Sequence, residues 1–314
     1  MEAPTSRGLA PGFSDLPKWQ HVFVIGLLLW IASVVVTGST ANLNMIPTVV
    51  LLGSFLVPVT AVVWYLDHYE SPVLTLRLVF YTFIVGGVLG TLAASVLESW
   101  LSSESLLVYA GVGLIEEFAK LAALMFVARG LPYYGVRDGI VLGATVGFGF
   151  GALESSGYAL TSLLSVGKHG VSLSLGNLVF TELIRGALAP VGHGLWTAIV
   201  GGVLFRAAAG QHLRITGRVV GAYLFVALLH ALWDAMRGIA FLLTAAFTST
   251  PAQQIALIEG GSLPPTIKQV ETFFSLEVGG LVLISIVGLV ALWRLWHTQG
   301  QAPGGDSTVP ASST

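Results

Sequence analysis

Long apolar runs, separated by short polar or Pro/Gly-bearing stretches, set the pattern of this chain. A bilayer core needs roughly 20 consecutive apolar residues in a helix, so each run reads as a crossing. The runs lie near 20–39, 45–66, 76–97, 106–128, 139–163, 174–206, 219–246 and 273–296. The sixth is too long for one straight helix. Pro190 and Gly192 stand in its middle, where proline removes a backbone hydrogen bond and bends or breaks a helix. The pattern predicts an all-α, polytopic transmembrane bundle of about eight spans, one of them kinked or broken near Pro190.

Charge placement bears on the count. With a cytoplasmic N-terminus and a single sixth crossing, Arg7, Lys18, Arg77, Arg129, Arg137, Arg206, Arg214, Arg218 and Arg294 all fall on the cytoplasmic side. Lys168 and Lys268 fall outside, and two full sixth crossings would send Arg206, Arg214 and Arg218 there too, against the positive-inside bias. The expectation is a multi-pass protein of the cell (inner) membrane with both termini cytoplasmic. Residues 1–19 are polar and do not read as a cleavable signal, since the apolar run that follows is long enough to span. Residues 20–296 form the membrane domain, and the Gly, Pro, Ser and Thr of 297–314 read as a disordered tail.

Composition narrows the class. Only 10% of residues are charged against 54% hydrophobic, where soluble domains carry about 25% charged. The formal net charge of −2 and the lack of a basic run give no case for nucleic-acid binding. Cysteine is absent, which excludes disulfides, thiolate metal sites and a cysteine nucleophile.

Against this background the ionisable residues inside spans stand out, because each needs a partner or a task. The fourth run carries Glu116, Glu117 and Lys120, the fifth Glu154, the sixth Glu182, Arg185 and His193, and the seventh His230 and Asp234. At about 1.5 Å per residue, Glu117 and His230 come near mid-span and Glu154 somewhat to the outer side, so one layer accommodates them. Glu116 and Lys120 are i,i+4 and share a face, as do His230 and Asp234. Glu117 points about 100° from Glu116, so the two carboxylates cannot serve equally. Glu182 and Arg185, at i,i+3, read as structural. Gly143, Gly147 and Gly151 make a small-residue face that lets the fifth helix approach a neighbour and carries Glu154 inward.

Carboxylates beside imidazoles can activate water as general bases or as ligands of a metal such as Zn²⁺. The chain has no HExxH pair, no Gly-x-Gly-Asp of an aspartyl site and no Gly-x-Ser-Gly elbow. Glu116-Glu-Phe-Ala-Lys120 resembles the EExxK motif of the PrsW-type intramembrane proteases. Phe150-Gly-Ala-Leu-Glu154 resembles their FxxxE motif, and His230-Ala-Leu-Trp-Asp234 their HxxxD motif. The order is the family's, and His193 stands between the last two. The wider grouping includes the CAAX prenyl endopeptidases and bacterial immunity-type membrane proteases.

The resemblance spans about 106–237 and implies hydrolysis of peptide bonds in membrane-anchored proteins. The implied partner is a single-span substrate in the lipid bilayer, such as an anti-sigma factor. In that frame Glu116 or Glu117 activates water, and Glu154, His193 and His230 serve as metal ligands or oxyanion donors. Lys120 and Asp234 orient them. Two other classes fit the same polar set: a proton-coupled transporter, for which related halves would be expected, and a non-catalytic membrane scaffold of the same fold.

Overall fold

A computed structural model describes residues 19–101, 107–167, 170–208, 212–261 and 263–297. Of the tails expected at 1–19 and 297–314, only Trp19 and His297 are described, both as helix ends; the rest, with Arg7 and Lys18, and Lys168 of the ribbon connection lie outside the described residues. The chain runs through α1 (Trp19–Thr40) and α2 (Ile46–His68), then a third span made of α3 (Leu76–Ile84) and α4 (Gly90–Glu98). After these come α5 (Leu107–Ala128) and α6 (Val136–Leu163), a ribbon of β1 (Leu164–Gly167) with β2 (Gly170–Leu173), and α7 (Leu175–Leu188). The last elements are α8 (His193–Arg206), α9 (Gly217–Thr248), the short α10 (Pro251–Ile258) and α11 (Ile267–His297).

Among the described residues, seven helical segments are long and apolar enough to cross a membrane. The remaining expected run, the fourth, is α5, as long as α1 at 22 residues but carrying Glu116, Glu117 and Lys120. The all-α bundle with its broken sixth span is therefore the fold found, and the protein is a multi-pass membrane protein. The break falls where proline placed it. A single 3-10 turn, Ala189–Val191, separates α7 from α8 and contains Pro190.

Two local features were not expected. The connection after α6 forms an antiparallel two-stranded ribbon, pairing Leu164 with Leu173. The third span contains a π-helical turn, Val85–Leu89, between α3 and α4. That turn brings the backbone of Gly86 and Gly87 against Val146 and Gly149 of α6, where any added Cβ would collide.

α6 is the central element. It is buried along most of its length and packs against α2, the π turn, α7 and, most extensively, α8. Lipid tails are as apolar as leucine, so helix association in a membrane rests on close packing rather than on hydrophobic drive. The glycine face supplies that closeness. A Cβ at Gly143 would meet the Thr197 carbonyl, one at Gly147 the His193 carbonyl, and one at Gly139 the Gly201 carbonyl. At Gly151 the facing group is the His193 ring, 3.0 Å away. The stripe that seats α6 on α8 thus ends on a site residue. On the other flank α5 meets α9, with Gly113 against Ala227 and Ala231. α1 and α11 lie at the margin, mostly unburied by the rest of the chain, as lipid-facing spans should.

Candidate active site

α5 brings three ionisable side chains to the interior on successive turns. Lys120 is fully buried, and its Nζ donates to Glu116 Oε2 at 3.1 Å and to Glu117 Oε1 at 2.8 Å. The i,i+4 pair is as expected. The i,i+3 contact to Glu117 is an addition, because the long lysine side chain bridges the angular gap between the two glutamates. Its ammonium also lies 4.1 Å from the Phe150 ring centroid and 2.7 Å from His193 Nδ1.

α9 approaches α5 over the Gly113 contact and so delivers His230. Its Nδ1 is 3.0 Å from Glu117 Oε1 and must donate there, since a carboxylate only accepts. Its Nε2 faces Asp234 Oδ2 at 3.4 Å and Glu116 Oε2 at 3.6 Å. Asp234 thus stands beside the imidazole as its spacing implied.

Glu154 enters from α6 and is gripped from two sides of the broken span. Arg185 Nη2 at the end of α7 and His193 Nε2 at the start of α8 both donate to Glu154 Oε2, the latter at 2.9 Å. Arg185 Nε also donates to Ser155 Oγ at 2.7 Å. The pairing of Arg185 with Glu182 implied by their spacing does not form. Glu182 Oε2 instead accepts from Trp30 Nε1 of α1 at 2.8 Å, with its carboxyl seated against Gly53. Helix spacing ranks only partners on the same helix, and here tertiary neighbours outcompete them.

Aromatic side chains wall the cluster. Trp196 lies over His230 with ring centroids 4.7 Å apart and meets His193 edge-on. A cavity of about 90 Å³, with room for several waters, opens beside Glu154, His193, Trp196, Tyr158, Arg185 and Asp234. Two buried polar atoms within the cluster have no hydrogen-bond partner, Glu117 Oε2 and Trp196 Nε1. Orphaned groups of this kind are uncommon in folded proteins and ask for an explanation.

Comparison with known proteins joins this geometry to a family. Residues 74–258, more than half of the chain, match the family described as PrsW family intramembrane metalloprotease. The chain belongs to this family. It is also 30% identical over 169 residues to Protease PrsW of Halalkalibacterium halodurans, an alignment covering 52% of this chain and 71% of that protein. No solved structure matches the chain. Family membership bears on the readings left open by the polar residues: the protein is an intramembrane endopeptidase, and its substrates are membrane proteins in the bilayer.

A metalloprotease family implies a metal, and the donors present suit one. Glu116, His193 and His230 each offer a ligand atom, all within 4.8 Å of one another. Two imidazoles and one carboxylate are a common catalytic zinc set. The charges agree. The carboxylates of Glu116, Glu117, Glu154 and Asp234 face only two permanently cationic side chains of the cluster, Lys120 and Arg185. Excess negative charge in a low-dielectric interior favours an added cation. Lys120 already contacts Glu116 and His193, so it shares two of the three donors with any bound ion.

Glu116, Glu117, Lys120, Glu154, His193, His230 and Asp234 therefore converge in one cluster. The compact donor trio holds Glu116, while Glu154 stands on the far nitrogen of His193. Three participants escaped the pattern reading. Arg185 reads as structural from its i,i+3 spacing to Glu182, although its place just before the break is a usable signal. Trp196 carries no charge to mark it. Glu98 sits at the very end of α4 and comes within side-chain hydrogen-bonding reach of Glu116.

Proposed function

We propose that this cluster is the proteolytic centre, with Glu117 as general base and Glu116, His193 and His230 as ligands of a divalent metal such as Zn²⁺. The observation that carries the reading is the unequal state of the paired glutamates. Glu116 Oε2 lies among both imidazoles and Lys120, in a ligand's position. Glu117 Oε1 is taken by Lys120 and His230, while its Oε2 is buried without a partner and retains its acceptor capacity.

A bound metal would act as a Lewis acid on the scissile carbonyl and raise the acidity of water. The protein's own groups do the rest. Glu117 Oε2 accepts a proton from the attacking water, whose oxygen adds to the carbonyl carbon. Lys120 donates toward the oxygen that gains negative charge. As the C–N bond breaks, the proton held by Glu117 passes to the leaving amine. Glu117 Oε1 holds His230 through its Nδ1–H, Asp234 stands beside the ring's other nitrogen, and the cavity beside Glu154 admits the water that the reaction consumes.

The substrates are single-span membrane proteins, an anti-sigma factor among them. The protein sits in the cell (inner) membrane with both termini cytoplasmic, an orientation supported by the arginines at 206, 214 and 218. The test compares newly formed protein N-termini in membranes containing wild-type protein or Glu117→Gln at matched levels. Termini found only with the wild type, near single-span segments of other proteins, establish the centre and name the substrates. Identical sets with both Glu117→Gln and Glu116→Gln would remove this cluster as the catalytic one.

A further inference from the structure

The broken sixth span does more than accommodate a proline. α7 ends with Arg185 in its last turn, and α8 begins with His193 after the Ala189–Val191 turn. Because the axis is interrupted there, both side chains come to the same carboxylate oxygen, Glu154 Oε2. The Arg185 side chain is only 27% exposed and is held on three sides. It pairs with Glu154, its Nε donates to Ser155 Oγ at 2.7 Å, and its guanidinium carbon stacks 4.3 Å from the Tyr158 ring centroid. Glu154, Ser155 and Tyr158 all belong to α6, so the planar fork reads one short stretch of a single helix.

The consequence falls on His193. A carboxylate accepts but does not donate, so the imidazole meets Glu154 with its Nε2–H. Its Nδ1 then presents a lone pair to the centre, where Lys120 Nζ lies 2.7 Å away and Glu116 Oε2 at 3.9 Å. Which nitrogen of a histidine faces a reacting centre is set by the hydrogen bond the other one makes.

We propose that Arg185 is a positioning residue of the protease: by clamping Glu154 against α6, it fixes His193 in the Nε2–H tautomer with Nδ1 turned to the centre. The inference rests on the assignment of the cluster as the proteolytic centre for its effect on turnover, but not for its effect on the imidazole. Lysine cannot replace the fork, since one amine cannot hold Glu154 and Ser155 together in the guanidinium's plane.

The test uses full-length protein in lipid nanodiscs with ¹⁵N-labelled histidine. The ring-nitrogen shifts of His193, assigned by its absence in His193→Gln, report the tautomer directly. Cleavage of a substrate identified from the N-terminal comparison reports turnover. Wild type shows the Nε2–H form. Arg185→Gln is expected to mix the tautomers and to lower kcat 10- to 100-fold with KM within about twofold. Arg185→Lys, which keeps a cation beside Glu154 and so protects the fold, should show a smaller mixing and a several-fold loss of kcat.

Wild-type shifts and turnover in either variant overturn the proposal. A loss of turnover with an unchanged His193 spectrum also overturns it, because the defect then arises elsewhere. If Arg185→Gln does not fold, the lysine variant decides by the same two readings. A wild-type protein that cleaves nothing would refute the proteolytic assignment, while the histidine spectrum would still judge the clamp.

Discussion

Glu154 and Glu182 are two glutamates inside neighbouring spans, and the structure treats them in opposite ways. Glu154 lies beside a cavity with room for several waters and is bonded by an arginine and a histidine. Glu182 is 4% exposed, rests on the bare backbone of Gly53 and accepts a hydrogen bond from Trp30 Nε1. Its other oxygen is buried without a partner. Depth and residue type are therefore poor guides to function in a membrane. The company of a carboxylate distinguishes them: a permanent cation, an imidazole and access to water mark one as a candidate site group, while a notch and an indole make the other a joint between α1, α2 and α7.

Several measurements would break or sharpen this contrast. The largest effect belongs to the neighbour with an unused oxygen: Glu117→Gln should lower turnover about 10²- to 10⁴-fold, the usual range for a lost general base. Glu154→Gln should cost less, about 10- to 100-fold, because it disturbs His193 without removing a proton acceptor. Both are measured by cleavage of the same substrate in matched proteoliposomes, and a reversed order would exchange their roles. Gly53→Ala acts on the other carboxylate. The new methyl displaces the Glu182 carboxyl from its notch, and thermal unfolding in detergent should reveal a loss of about 1–3 kcal/mol. Trp30→Phe removes the indole donor to Glu182 and should destabilise by about 1 kcal/mol. Smallest of all, Glu182→Gln should leave turnover within about twofold of wild type. A large loss there would erase the distinction between the two glutamates.

Much of the site was legible beforehand, for a definite reason. Charged side chains are so costly in a membrane that their mere presence within apolar runs marks them, and Glu116, Glu117, Lys120, Glu154, His230 and Asp234 were found that way. His193 was marked in the same way, and motif order supported it. Arg185 was visible too but read as structural, because spacing along α7 showed only Glu182 beside it and gave no view of α6. Glu98 was passed over because it stands at the boundary of its span, where a charge is cheap. Trp196 has no sequence mark apart from its place next to the histidine.

The same division holds for the fold. The spans, the break at Pro190 and the glycine stripe on α6 follow from local properties: hydropathy summed over twenty residues, the missing N–H of proline and the missing Cβ of glycine. These are determined residue by residue, so the sequence by itself contains them. The π turn at Val85–Leu89, the pairing of Arg185 with Glu154 and the approach of Glu98 to Glu116 are of another kind. Each depends on how far one helix is rotated and slid against the next, and buried charges respond to that over a few ångströms in a medium that screens them weakly. Only the packed bundle decides it.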